Sequence, residues 1–149
     1  MRKREKGGKM KEELIKLSPK FSVGINEIDS QHKGLINAFN KTYQLSLSGK
    51  YDENKKEVGK VLEILLEYVR VHFSTEENYF AKWDYPYSAE HMEKHAKLTS
   101  DVIAFKGRFD KGEDILVDLL KFITEWFEGH LKTDDHKYSV YFKEKWYIE

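Results

Sequence analysis

Six histidines and many carboxylates occur in this sequence, and some of their spacings suit the binding of a metal ion. His91 and His95 are four residues apart, so both imidazoles can bind one ion from a single helix. His72 and Glu76 have the same spacing, which puts a carboxylate one helical turn from a ligand nitrogen. Either pair alone is weak evidence, because such pairs occur by chance on charged helices. A metal site is indicated only if several such residues converge.

The apolar residues indicate which of these side chains point inward. Four segments carry apolar residues three or four apart, the spacing that places them on one face of an α-helix. Five histidines and one carboxylate fall on these apolar stripes: His32, His72, Glu76, His91, His95 and His130. One buried histidine is usually an ordinary core residue, but five without partners would each cost several kcal/mol. A bound metal removes that cost by taking up the lone pairs.

The composition of this set narrows the kind of metal site. The sequence has no cysteine, so a metal must be bound by nitrogen and oxygen. Five histidines with one or two carboxylates exceed a tetrahedral zinc site and fit two ions bridged by carboxylates. The stretch HMEKH is not a zinc-protease motif, since Met92 stands where the motif needs Glu. The Glu-x-x-His pattern of ferritin-like di-iron proteins is also absent, and a histidine-rich set suits iron that cycles between ferrous and ferric states.

The four stripes predict an all-α fold, an up-down-up-down four-helix bundle with short connections. The first helix is predicted from about Ile28 to Ser48, and the second from an Asp52 N-cap to Lys82. The third is predicted to follow a Ser88 cap, and the fourth to start near Glu113. The last stretch is expected to fold its aromatic residues back onto the bundle, namely Tyr138, Tyr141, Phe142, Trp146 and Tyr147.

The remaining features of the sequence indicate how the chain divides into segments and which partners to expect. Residues 1–20 are interpreted as a basic N-terminal extension and residues 21–149 as the bundle. The extension is expected to be a solvated tail, with a short basic arm that touches a partner or a membrane surface as the alternative. Lys and Arg together number 26, as do Asp and Glu, so no basic field favours nucleic acid. No apolar run is long enough for a membrane span, and the basic start lacks the apolar segment of a secretory signal, so we expect a cytoplasmic location.

Four motifs in the expected order resemble the hemerythrin family, and especially its bacteriohemerythrins. They are VGINEIDSQHKGL near the start, HFSTEE in the second helix, HMEKH in the third and WFEGHLKTDD at the end of the fourth. The resemblance spans about Phe21 to Tyr147. It implies a non-haem di-iron centre, with two iron ions (Fe2+/Fe3+) joined by an oxo or hydroxo bridge, that binds O2 reversibly.

The resemblance also implies how the ligands divide between the two irons. Three histidines would bind one iron, and two would bind the other, which leaves that iron an open position for O2. Two carboxylates would bridge the pair. The implied sets are His91, His95 and His130 for the first iron, His32 and His72 for the second, and Glu76 and Asp135 for the bridge.

The choice of Asp135 carries a structural prediction about the fourth helix. Helix spacing alone selects Asp134, four residues after His130, whereas the family pattern selects Asp135, five residues after it. In a straight α-helix Asp135 would lie about 140° round from His130. We therefore predict that the helix ends or loosens just after His130, and that Asp134 and His136 have no part in the site.

The resemblance also suggests the O2 pocket, with two departures from the family pattern. Phe21 stands where the family usually has Trp, which we interpret as a packing change. Phe127 follows Trp126 where the family commonly has a Leu that lines the pocket, so the pocket should be tighter and still apolar. We predict that Phe127→Leu changes O2 affinity or autoxidation. Trp126 is also predicted to line the pocket. Phe73 and Leu35 are further pocket residues, with plain core packing as the alternative interpretation.

Three classes of function use such a centre. The first is an oxygen carrier, store or scavenger that works with a redox partner of unknown identity. The second is a di-iron enzyme of the peroxidase or nitric oxide reductase type, and the third is an O2 or iron sensor. The sequence offers no evident proton-delivering group or substrate cleft, which favours binding over turnover. A sensor usually needs an output domain, and we expect none within these 149 residues.

Overall fold

The computed structural model describes residues 22–48 and 50–149, and in them it contains helices and no strand. The helices are α1 (Asn26–Leu47), α2 (Tyr51–Lys82), α3 (Ser88–Asp110), α4 (Leu116–Trp126), a π-helical segment (Phe127–Asp135) and α5 (His136–Glu144). The most extensive contacts run between α1 and α2, α2 and α3, and α1 and α4, as expected for neighbouring antiparallel helices with short connections. The prediction of an all-α four-helix bundle is confirmed.

The predicted capping residues are wrong, although the helices that they were meant to begin exist. Helix α2 begins at Tyr51, so Asp52 lies in its first turn, where its charge still favours the helix dipole. Helix α3 begins at Ser88, and its N-cap is Tyr87. Neither N-cap makes a side-chain hydrogen bond. Packing of the apolar faces, rather than capping, therefore determines where these helices begin.

The fourth helix begins three residues later than Glu113, at Leu116. The Glu113 carboxylate instead accepts a hydrogen bond of 2.7 Å from Arg108 near the end of α3, which holds this residue in the connection. Asp114 Oδ1 accepts a hydrogen bond of 3.1 Å from the Leu116 backbone N–H, at the first turn of α4. Two polar contacts of the connection thus accompany this boundary.

The core consists of two apolar clusters, one toward each end of the bundle. The larger contains Leu35, Val69, Val102 and Leu131, among other residues from α1 to the π-helical segment. The smaller contains residues from both ends of the described chain and from the α2–α3 connection, namely Val23, Ile25, Ile28, Phe80, Tyr85, Tyr138 and Phe142. Along α1, α2 and the chain from α4 to α5, the predicted metal ligands lie between residues of the two clusters. His91 and His95 on α3 lie between Tyr85 of the smaller cluster, in the preceding connection, and Val102 of the larger one. The bundle therefore encloses one polar layer.

The C-terminal aromatic residues return to the bundle with one exception. Tyr138 and Phe142 are fully buried, and the Tyr147 ring stacks on Trp83 at a centroid distance of 5.4 Å. Trp146 is 92% exposed, so the prediction is wrong for this residue. Its left-handed backbone (φ 62°) turns the chain so that the Tyr147 N–H bonds the Phe142 carbonyl, which directs the Trp146 side chain outward.

Two predictions concern residues outside the described part of the chain: the basic extension 1–20 and the packing role of Phe21. The domain boundary between them stays a prediction. Within the described residues, no helix combines the length and the apolar character needed to cross a bilayer.

Candidate metal centre

The structure brings all seven predicted ligands together in the polar layer, where each is at most 4% exposed. Their ligand atoms form two groups, and within each group these atoms lie within 4.8 Å of one another. Glu76 and Asp135 belong to both groups. The other members are His91, His95 and His130 in the three-histidine group, and His32 and His72 in the two-histidine group.

Asp135 lies between the two groups and presents one oxygen to each. Its Oδ1 is 3.1 Å from His91 Nε2 and 3.2 Å from His130 Nε2, both in the three-histidine group. Its Oδ2 is 3.3 Å from His32 Nε2 in the two-histidine group. This arrangement would let the one carboxylate offer an oxygen to an ion in each group.

Glu76 approaches both groups from the opposite helix with a single oxygen. Its Oε1 is 3.0 Å from His95 Nε2 and 3.4 Å from His72 Nε2. Its Oε2 accepts a hydrogen bond from the Tyr138 hydroxyl, which fixes the orientation of the carboxylate. Burial and the charges of Glu76 and Asp135 raise the pKa of Tyr138 well above its ordinary value, so the hydroxyl keeps the proton that it donates.

Most of the converging atoms are buried without a hydrogen bond. In the described part of the chain these include Glu76 Oε1, both Asp135 oxygens, and the Nε2 atoms of His72, His91, His95 and His130. Leaving a buried polar atom unsatisfied costs about 1–3 kcal/mol. So many of them in one place, all nitrogen or oxygen with lone pairs, fit a site for metal ions and explain how the cost is offset.

The protonation states around the site suit metal binding. Burial acts to raise the pKa of Glu76, but contacts with His72 and His95 hold it well below its ordinary value. Burial and Glu76 also act to raise the pKa of Asp135, yet the surrounding histidines lower it. Burial lowers the pKa of His72, which keeps this imidazole neutral. Burial acts to lower the pKa of His95, but contacts with Glu76 and Glu77 raise it to about 9, so a metal must displace this proton.

A second set of residues, which the sequence analysis missed, holds the outer ring nitrogens of three histidines. The pairs are His72 Nδ1 with Gln31 Oε1 at 2.7 Å, His95 Nδ1 with Glu77 Oε2 at 2.9 Å, and His130 Nδ1 with Asp134 Oδ2 at 3.2 Å. Such partners fix the ring orientation and leave Nε2 for the metal. The prediction that Asp134 has no part in the site is therefore wrong, because the Asp134 carboxylate orients His130. Lys94 Nζ donates a hydrogen bond of 2.6 Å to the other Asp134 oxygen.

The chain between Phe127 and Asp135 explains why Asp135 faces the centre. The predicted loosening is present, but it takes the form of a continuous π-helix that starts three residues before His130, not after it. A π-helix bonds residues five apart, so it brings Asp135 close to the face of His130. Asp135 is fully buried, whereas the Asp134 side chain is 16% exposed. The five-residue spacing of the two side chains was the only sequence signal of this widening.

The four predicted pocket residues all lie in the larger apolar cluster. The Phe73 ring is parallel to that of His95 at a centroid distance of 3.8 Å and lies 6.0 Å from that of His72, so it contacts both groups. Trp126 lies 5.8 Å from Phe73. The Phe127 ring meets that of Phe39 edge-on at 5.5 Å, and Leu35 is fully buried. Their role in an O2 pocket stays a prediction.

Comparison with known proteins agrees with this geometry. A family model described as the hemerythrin HHE cation binding domain matches residues 23–140, which include all seven clustered side chains. A bacteriohemerythrin of Stenotrophomonas maltophilia is 30% identical over 119 residues, covering 80% of this chain and 75% of that protein. One of Methylococcus capsulatus is 30% identical over 120 residues, covering 80% and 88%. A hemerythrin-like protein of Naegleria gruberi is 33% identical over 119 residues, covering 80% and 86%.

The resemblance seen in the four motifs is thereby confirmed. The family model matches most of the chain, and the two bacteriohemerythrins each align with 80% of this chain and with 75% and 88% of their own lengths. The buried cluster of histidine, glutamate and aspartate can hold metal, as the description of the family implies. The chain belongs to the hemerythrin family.

Proposed function

We propose that this protein binds O2 reversibly at a pair of iron ions and serves as an oxygen carrier, store or scavenger. The observation that carries the proposal is the pair of ligand groups that share Glu76 and Asp135. One group has three histidines and the other two, so the second ion has one protein ligand fewer and room for a small molecule. A cytoplasmic location and a redox partner that keeps the irons ferrous belong to the same proposal.

The protein residues would hold the irons and keep the site dry. When bound, two irons that move between the ferrous and ferric states supply electrons to O2 and recover them on its release. Tyr138 holds Glu76 by its second oxygen, and Gln31 and Glu77 hold the outer nitrogens of His72 and His95. Apolar side chains of the larger cluster exclude water, which slows the irreversible loss of a reduced oxygen species.

The first experiment is to count iron in the purified protein and to record its visible spectrum in reduced, aerated and again oxygen-free states. We expect two irons per chain, a colourless reduced form and a colour that appears and disappears with O2. One tightly bound zinc and no colour would contradict the proposal. Steady consumption of peroxide or nitric oxide would instead support a di-iron enzyme.

The chain offers a matched pair of variants for this experiment. His130 and His136 lie six residues apart, but His130 is buried in the three-histidine group and His136 is exposed. His130→Ala should lose iron and colour, because it removes a ligand, whereas His136→Ala should keep both. Equal iron content in the two variants would show that the iron is bound elsewhere.

A further inference from the structure

Two buried donor groups beside the metal centre have no partner. Apart from the atoms that converge at the centre, the unsatisfied buried side-chain atoms of the described residues are Asn40 Oδ1, Tyr68 OH and Trp126 Nε1. The rings of Tyr68 and Trp126 adjoin, with a centroid distance of 5.7 Å. A buried hydroxyl and a buried indole N–H normally find acceptors, because each is costly to leave unsatisfied. Both therefore need an acceptor that the folded chain itself does not supply.

Tyr68 lies directly against the two-histidine group. It precedes His72 by one turn of α2, and the two rings are nearly parallel, with centroids 4.5 Å apart and planes inclined by 19°. The Tyr68 ring also meets Phe73 edge-on at 6.3 Å, and Phe73 contacts both ligand groups. Tyr68 is only 7% exposed, and its hydroxyl is fully buried. The ring that carries the free hydroxyl thus lies against the group that has one protein ligand fewer.

The chemistry of the donors indicates the acceptor. A tyrosine hydroxyl with an ordinary pKa of about 10 keeps its proton at neutral pH, and an indole nitrogen can only donate. Hydrogen bonds from such donors to an anion are roughly twice as strong as those to a neutral group. Apart from the metal-ligand side chains beside Tyr68, the surroundings are apolar, since Tyr68 and Trp126 both belong to the larger apolar cluster. A small anion is therefore the acceptor that gains most from this position.

We propose that the Tyr68 hydroxyl donates a hydrogen bond to a small anionic ligand bound at the two-histidine iron, with the Trp126 N–H as a neighbouring donor. The inference rests on the proposed function, because it needs iron in the site. It makes Tyr68 a ligand-contacting residue that favours anions over neutral molecules of similar size. It also makes the pocket partly polar, where the sequence analysis expected it to be apolar throughout.

The test uses the iron-loaded, oxidised protein and azide as the anionic probe. Azide is titrated into the wild type and into Tyr68→Phe, and its dissociation constant is read from the visible absorption. We expect Tyr68→Phe to weaken azide binding about tenfold, as for the loss of one hydrogen bond to a charged group. The azide stretching frequency of the wild type should shift between H2O and D2O, and Tyr68→Phe should reduce that shift, leaving at most the part due to the Trp126 N–H. A purely structural role of Tyr68 would not produce the solvent isotope effect.

Tyr51→Phe is the matched control on the same helix. Tyr51 lies about 25 Å from Tyr68 along α2. Its hydroxyl donates a hydrogen bond to the Glu113 carbonyl. This variant should bind azide like the wild type. Azide affinity of Tyr68→Phe within twofold of the wild type, with the isotope shift retained, would overturn the inference while the proposed function stands. Loss of iron from Tyr68→Phe would overturn it as well, because the hydroxyl would then support the centre itself. A wild type without two irons would overturn the proposed function.

Discussion

At the scale of single residues, the outer contacts of the histidines differ between the two ligand groups. In the three-histidine group, His95 bonds the carboxylate of Glu77. In the two-histidine group, His72 bonds the neutral amide of Gln31. A negatively charged partner makes an imidazole a stronger donor to a metal and favours the more oxidised ion. The contacts therefore make the two positions electronically unequal.

This difference predicts opposite effects of two reciprocal variants. Glu77→Gln should raise the reduction potential of the iron centre, since it removes a negative charge that favours the ferric state. Gln31→Glu should lower the potential for the converse reason. Both are measured by a redox titration followed in the visible spectrum. Glu93→Gln, at an exposed position of α3, controls for the change in net charge and should leave the potential unchanged. Shifts of the potential with the same sign in both variants would show that the charge at positions 31 and 77 does not control it.

At the scale of elements, the helices were predictable and their exact ends were not. Apolar residues at a spacing of three or four suffice to place a helix, because the buried face determines it. The start of α4 depends on the pairing of Glu113 with Arg108, which no local pattern reveals. The π-helical segment was predictable only from the conflict between α-helix spacing and the family pattern that selects Asp135. His130 and Asp135 could not both face the centre in an α-helix, so the backbone between them had to widen.

Two glycines within the helices illustrate how tertiary contacts decide the effect of one substitution. A Cβ added at Gly34 in α1 would meet no atom within 4 Å, so Gly34→Ala should raise the free energy of unfolding by about 1 kcal/mol through helix propensity. A Cβ at Gly59 in α2 would lie 3.2 Å from the Phe109 ring, so Gly59→Ala should gain less or lose stability. Urea denaturation measures both. Equal gains in the free energy of unfolding would show that the Phe109 ring moves aside without loss of stability.

At the scale of the whole molecule, the bundle consists of two apolar clusters that enclose a polar layer. Five histidines and Glu76 on apolar stripes were enough to predict that layer, whereas Asp135 followed only from the resemblance to the family. The partners of the outer histidine nitrogens could not be predicted, because Gln31 and Glu77 look like ordinary polar residues next to His32 and Glu76 in the sequence. Their roles depend on the relative rotation and height of packed helices, which periodicity does not define. The same holds for Tyr138, whose hydroxyl reaches Glu76 from 62 residues away.

The enclosed layer also predicts that iron and folding are strongly coupled. The ligand atoms are buried and mostly unsatisfied, so the metal-free fold bears their desolvation cost, and ions that bind only the folded state offset it. Removing iron with a chelator should therefore lower the melting temperature, by about 6–12 °C if the bound metal contributes about 3 kcal/mol to a domain of this size. Calorimetry with and without iron measures the difference. In Asp135→Asn, which loses the negative charge of the bridge between the groups, the difference should shrink markedly. If iron instead stabilised Asp135→Asn as much as the wild type, the metal would not be bound by the layer that the bundle encloses.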